Sequence, residues 1–294
     1  MVESLRATLP RPLAHEIILI DDSSTDGTSA WLDSRRDPAY RVLRNERNLG
    51  FARTNNRAAA VARGERLVLL NNDLVLRPGW FEGLARAHAS RGARAGVTGN
   101  VQLDFRTRAV DHAGIVLTLK AKPEHDRVLP SRLRRWLRPV RRVPAVTAAC
   151  VMIDAALWRA LGGFDENYVN GGEDVDLCMR AAALGKINAV ALRSVVWHHV
   201  SSSVGRKLRD EANSERLARR WRPEFVRGAA RTWCRARLEA ILADPGQADP
   251  WFAWQIWCFA RGWSRTPPPA AIAALDGALE LEFARWASVN RERL

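Results

Sequence analysis

No run in this 294-residue sequence approaches the roughly 18 consecutive apolar residues that a membrane-crossing helix needs; stretches such as IILI and LVLL are strand-sized. The opening MVESLRATLP lacks a basic segment followed by an apolar one, so no secretory leader is legible. Four cysteines (Cys150, Cys178, Cys234 and Cys258) lie far apart with no CxxC pair, which argues against a zinc ribbon or a disulfide scaffold. The expectation is a soluble intracellular protein with idle thiols. There is no internal repeat and no G-x-G-x-x-G. Lysine is nearly absent: four of the 46 basic residues are Lys and the rest are Arg.

Those 46 basic residues stand against 32 acids, a net charge of +14. Such a charge attracts polyanions, whether nucleic acid, an anionic lipid surface or phosphorylated substrates, and does not choose among them. The arginines cluster in RLRRWLRPVRR (132–142) and again from Arg206 to Arg237. No nucleic-acid motif accompanies them, and they lie away from the acidic motifs below, which speaks against a nucleic-acid partner.

The first 90 residues alternate short apolar strands with helices. Strands are expected at 16–20, 40–43 and 66–70, and helices at 28–34, 51–63 and 79–90. Further strands are expected at 96–103 and 145–153, separated by the basic insertion. This alternation predicts a mostly parallel α/β sheet flanked by helices, with ligands gathering at the carboxyl ends of strands. Beyond residue 205, Leu217, Trp221 and Phe225, then Ile272, Leu275, Leu279, Phe283 and Trp286, recur at helical spacing. We therefore expect an α/β domain over 1–205 and an Arg- and Trp-rich helical region over 206–294, with SRTPPPAA (264–271) as a hinge. Trp251, Phe252, Trp254 and Trp257 are expected to pack the tail helices, and the 132–142 insertion is the better candidate for lipid contact.

Acids collect at strand ends and helix starts. Asp21, Asp22 and Asp26 follow the first strand, where they can accept from ribose hydroxyls or a base, or simply cap a turn. Asn71-Asn72-Asp73 follows the third; a carboxylate there suits Mg²⁺ or Mn²⁺ holding a diphosphate. Two glycines lead into Glu173, Asp174 and Asp176 at the start of a helix, whose N-terminus favours anions. A carboxylate so placed over a cleft can also take a proton from a hydroxyl. His198-His199 closes a strand, with Ser201–Ser203 beyond it, and can supply a metal ligand.

In order and spacing, EIILIDDSSTDGT, RNERNLGFARTNNRAAAVARGERLVLLNND, GGFDENY with GGEDVDLCMRAAALG, and VVWHHVSSS resemble the family 2 glycosyltransferases of the GT-A fold. The resemblance covers about residues 16–203. DHAGIVL, VTAACVMID and the segment 214–221 are similar to bacterial rhamnosyltransferase-like, O-antigen-type members. It implies an inverting, metal-dependent transfer of a sugar, hexosyl or rhamnosyl, from a UDP- or dTDP-linked donor to a glycan or lipid-linked glycan, in cell-envelope polysaccharide synthesis. Under it, Asp21 and Asp22 hold base and ribose; Asn48, Gly50, Asn56 and Asn72 line the donor pocket. Asp73, with Asn71 in the first D-x-D position, and His198 bind Mg²⁺ or Mn²⁺. Asp174 is the general base, with Glu173 beside it. It further implies work at the inner face of the cell membrane, as a peripheral protein. One departure stands out. The family opens with a strand of the type V-S-(I/V)-V-I-P-(T/V)-Y-N, whereas Met1–Leu9 reads as the helix after it. The first strand is therefore expected to be missing, and the alternative function is a catalytically impaired nucleotide-sugar-binding protein.

Overall fold

The computed structural model describes residues 1–34, 39–199, 210–244 and 249–291. They form two compact units, Met1–Ile115 with His125–Arg209, and Val116–Glu124 with Asp210–Leu294. The expected division at 205/206 falls outside the described residues, and so do Ser201–Ser203.

The first unit begins with helix α1 (Val2–Thr8), strand β1 (Ile17–Asp21), α2 (Thr28–Ser34), β2 (Tyr40–Arg44), α3 (Phe51–Val61) and β3 (Arg66–Leu70). It continues through β4 (Leu74–Leu76), α4 (Trp80–Ala89), β5 (Ala95–Asp104), β6 (Val110–His112), β7 (Ile115–Leu117) and β8 (Pro123–His125). Then come α5 (Arg132–Leu137), β9 (Val140–Arg142), β10 (Cys150–Asp154), α6 (Ala155–Leu161), α7 (Glu173–Ala183) and β11 (Ile187–His198). Of the β7–β8 hairpin only Ile115 and His125 belong to this unit; residues 116–124 belong to the second.

The layered α/β class holds, but the expected predominance of parallel pairing does not. Only β1–β2 and β5–β11 run parallel; β10 is antiparallel to both β3 and β5, and β4, β6 and β9 join antiparallel. The reason is local. Parallel neighbours need a crossover, usually a helix. The chain between residues 104 and 150 instead returns through short strands. The basic insertion is part of this return: Ser131 caps α5, and β9 pairs with β11. The expected strand at 145–153 is correspondingly shorter, starting at Cys150.

The sheet is also divided. The described strands give two two-stranded sheets, β1–β2 and β7–β8, and a seven-stranded one ordered β3-β10-β5-β11-β4, with β6 and β9 attached. No ladder joins β1 to β3. Side chains bridge what the backbone does not: Leu5, Ile17, Leu19, Leu32, Leu74, Trp80, Leu84, Met152 and Val196 share one core. At about 25 cal/mol per Å² of apolar surface, a buried side chain of this size contributes roughly 1.5–3 kcal/mol. Helix α4 lies close on β11 because residue 83 is glycine; a Cβ there would come within 2.9 Å of the Ser194 nitrogen. Cys150 and Cys178 are fully buried, and burial pushes both thiols far up from their ordinary range.

The second unit is helical: α8 (Asp210–Ala243), kinked at Trp221 ahead of Pro223, α9 (Pro250–Arg261) and α10 (Pro269–Arg291). A proline ring cannot fit an uninterrupted helix, which accounts for the kink. Leu217, Phe225, Leu275, Leu279, Phe283 and Trp286 are buried as their spacing predicts. Glu282 receives Lys120 at 3.0 Å and Lys122 at 3.1 Å, tying the hairpin tip to α10. The packing expected of the 251–257 aromatics is only partial. Trp251 and Trp254 are at least half exposed, and Trp254 stacks on Trp257 at 5.2 Å. Among the described residues no helix is long and apolar enough to cross a membrane.

Candidate functional site

The site residues fall into two groups, and the first is built around the end of β1. Asp21 is buried; its carboxylate accepts from the Ser24 amide at 3.0 Å and the Ser29 hydroxyl at 2.7 Å. Burial pushes this carboxyl up, but those hydrogen bonds outweigh it and hold it below its ordinary value. Asp22 is committed even more fully. Oδ1 accepts from Asn45 Nδ2 at 2.7 Å and from the Leu49 amide at 2.8 Å, while Oδ2 accepts from the Gly50 amide at 2.9 Å. Both acids thus spend their oxygens on the protein, and Asp22 in particular fixes the Asn48-Leu49-Gly50 turn. The Asn48 side chain is exposed.

Asn56 faces the GGFDENY loop. Its Oδ1 accepts from the Phe164 amide at 2.8 Å, and its Nδ2 donates to the Phe164 carbonyl at 2.9 Å and to Glu166 at 3.1 Å. Gly163 must be glycine twice over: its φ is +73°, and a Cβ there would collide with Asn56 Oδ1. Asn56 therefore clamps a loop. The cleft beside it is lined by Leu49, Gly50, Ala52, Arg53, Glu166, Tyr168 and Val169.

The second group sits at the end of β3. The Asn71 amide donates to the Ala149 carbonyl at 2.9 Å, and the neighbouring Ala148 amide donates to Asp174 Oδ2 at 3.1 Å. Two consecutive alanines thus link the end of β3 to the start of α7. Asp174 Oδ1 also takes the Val175 amide at 2.8 Å, as an acid in a first helical turn does. Glu173 is buried and accepts from the Gly171 amide at 2.7 Å. Behind them Asp176, fully buried, pairs with Arg180 at 2.7 Å, and Arg180 also donates to the carbonyls of Leu161 and Gly163. One guanidinium therefore fixes both the glycine turn and α7. Asn72 is exposed.

Asp73 and His198 lie side by side. His198 Nε2 lies 3.4 Å from Asp73 Oδ2, and the His199 amide donates to the Asp73 carbonyl at 2.9 Å. His198 Nδ1 lies 3.1 Å from Oδ2 of Asp111, the acid of the DHAGIVL segment, to which sequence pattern alone assigns no role. The available signal was an acid directly before a histidine in that segment. Burial alone would lower the His198 pKa; the carboxylates of Asp111 and Asp73 on either side outweigh it and lift it to about 9.

The fit of a divalent cation turns on Asp73. Its Oδ1 is buried with no hydrogen-bond partner, while its Oδ2 faces an imidazole nitrogen. No three-ligand cage of His, Cys, Asp and Glu occurs among the described residues. Mg²⁺ and ions like it need none, since they keep waters and take phosphate oxygens beside one or two carboxylates. Asp73 and His198 fit that pattern.

The architecture has the GT-A fold. Among solved structures the chain resembles GalNAc-T7, crystallised with UDP, GalNAc and Mn²⁺, at a TM-score of 0.62 and 22% identity over 79% of this chain and 47% of that one. It also resembles S. aureus TarS, at a TM-score of 0.51 and 17% identity over 90% and 41% of the two chains. The model of glycosyl transferase family 2 matches residues 1–147, half of the sequence, and the chain belongs to that family. It is 31% identical over 212 residues to the O-antigen biosynthesis protein RfbC of Myxococcus xanthus, covering 69% of this chain and 16% of that one. It is 29% identical over 228 residues to the N-acetylglucosaminyl-diphospho-decaprenol L-rhamnosyltransferase of Mycobacterium tuberculosis, covering 69% and 72%. The chain spans 26% of another relative, y4gI of Sinorhizobium fredii, so it matches only a part of some larger proteins.

Proposed function

We propose that this chain transfers a sugar from a nucleoside-diphosphate donor, UDP- or dTDP-linked, to an acceptor hydroxyl with inversion at the anomeric carbon. Asp174 is the general base: it removes the acceptor proton as the oxygen attacks opposite the leaving diphosphate. The Ala148 and Val175 amides hold its carboxylate in place, and Glu173 shapes the turn behind it. Asp73 and His198 hold Mg²⁺ or Mn²⁺, which when bound neutralises charge on the departing diphosphate. The observation that carries this reading is Asp73, whose Oδ1 has no partner and whose Oδ2 faces His198, at the end of a strand that Ala148 and Ala149 tie to Asp174. Asp22 and Asn56 act on the donor through the loops they hold.

The acceptor is a glycan or lipid-linked glycan of the cell envelope. The decaprenol-diphosphate acceptor in the name of the mycobacterial relative supports this, as does α5. Leu133, Trp136 and Leu137 project from α5 at 61–66% exposure, beside exposed Arg132, Arg134 and Arg138. Apolar and aromatic side chains with arginines suit an anionic bilayer surface. Arg141 does not belong to this set, since it pairs with Asp126 at 3.0 Å.

Asp174→Asn tests the reaction. General-base help is worth about 10²–10⁴ in rate, so kcat falls by that order while donor affinity, measured by calorimetry, survives. Equal activity of mutant and wild type removes Asp174 from the role. The separation of β1–β2 from the larger sheet favours a second reading, a donor-binding protein with impaired turnover. Its signature is nucleoside-diphosphate binding by a wild-type chain that turns over no donor.

A further inference from the structure

We propose that Asp111 is a positioning residue that aims His198 at the divalent cation, an inference that rests on Asp73 and His198 holding that ion. The main chain around His198 is already fixed. The Phe105 amide donates to the His198 carbonyl, and the His199 amide to the Asp73 carbonyl, both at 2.9 Å. What remains free is the rotation of the imidazole about its own bond to Cβ. A half-turn exchanges the two faces of the ring and carries both nitrogens away from their places. Asp111 removes that freedom. It stands on β6, buried at 8% exposure, with Oδ2 3.1 Å from Nδ1. With Nδ1–H donating to Asp111, Nε2 is left to face Asp73 Oδ2 at 3.4 Å. When a cation displaces the proton on Nε2, the tautomer and the direction of the lone pair follow from that one hydrogen bond.

Asp111 does not serve as a third ligand to the same ion. It meets the nitrogen on the far side of the ring from Nε2, so a cation between Nε2 and Asp73 lies across the imidazole from it. Its other oxygen faces Arg127 at 3.9 Å. β6 owes its place to pairing with β5, whose last residues also run beside His198 on β11. The acid of the DHAGIVL segment thereby reaches a histidine 87 positions away.

The test is Mn²⁺ binding to the full chain without donor or acceptor, followed by electron paramagnetic resonance of the free ion. Loss of a carboxylate behind a metal-binding histidine typically weakens binding by about 10–100-fold. Asp111→Ala is therefore expected to raise the Kd by that factor. Asp111→Asn, whose carbonyl oxygen still accepts from Nδ1–H, recovers most of the affinity. In a His198→Ala background Asp111→Ala produces no further loss. Asp111→Ser, too short to reach Nδ1, replaces the alanine variant if that fails to fold. An unchanged Kd on removing Asp111, or an equal loss with and without His198, overturns the proposal. If instead Asp73→Asn and His198→Ala both leave Mn²⁺ binding intact, the metal site itself is wrong, whatever Asp111 does.

Discussion

Replacing Asp22 by Asn probes whether this acid reads the nucleotide directly or shapes the loop that does. The carboxylate accepts three hydrogen bonds, from Asn45 Nδ2 and from the Leu49 and Gly50 amides. A hydrogen bond to a charged group is worth about 1.5–3 kcal/mol, with partly exposed groups at the low end. Asparagine keeps one oxygen for Leu49 and Asn45 but turns an NH₂ toward the Gly50 N–H. One bond becomes a donor–donor contact and two lose their charge assistance. The net cost is about 2–3 kcal/mol, which shifts the population of the closed turn by roughly 30–150-fold. Hydrogen exchange at the Leu49 and Gly50 amides should quicken by that factor, and donor Kd should rise with it. A large loss of donor affinity with unchanged exchange at both amides would refute the loop-anchoring argument and return Asp22 to direct contact.

Three further outcomes follow from the same geometry. Asp176→Ala strands Arg180 as a largely buried cation, which costs about 3–5 kcal/mol; replacing both with leucine and methionine restores most of that in urea unfolding, and a loss below 1 kcal/mol for the single variant would contradict it. His198, lifted to about 9 in the folded chain, contributes stability that is complete below its ordinary value near 6.5 and is lost as pH rises through 9. With metal chelated, wild type should therefore lose up to about 3 kcal/mol between pH 6.5 and 10 relative to His198→Ala; a constant difference between the two would refute the coupling. For α5, replacing Trp136 and Leu133 with Ser should abolish co-sedimentation with anionic vesicles at low salt, and unchanged sedimentation removes the surface role.

Local pattern made much of this legible. IILI and RLVLL are strands because each is a short apolar run closed by turn formers, and the helix at 28–34 was bounded by its capping residues. What lay beyond the sequence was pairing across long separations. Nothing in residues 145–154 announces that β10 enters antiparallel between β3 and β5. The acids show the same limit. Each of Asp73 and His198 could be read as following an apolar strand, but only the family resemblance put them at one ion. The occupation of Asp22 by Leu49 and Gly50 could not be read, because a carboxylate's partners depend on where a turn 27 residues later comes to rest. Asp111 was hidden on a strand of three residues, too short to show any period.

The divided sheet bears on how tightly this site can hold its donor. A lone pair of strands is marginal in water, and β1–β2 is joined to the rest by side chains such as Ile17 and Leu19 without a backbone ladder. Its local opening free energy should lie below that of the seven-stranded sheet, as a separate cooperative unit. Asp21 and Asp22 sit at its end, so the donor binds only the fraction of molecules in which that unit is closed, and the measured affinity is reduced by that fraction. Anything that holds β1 in register, including an additional strand along its free edge, would tighten donor binding without touching the donor.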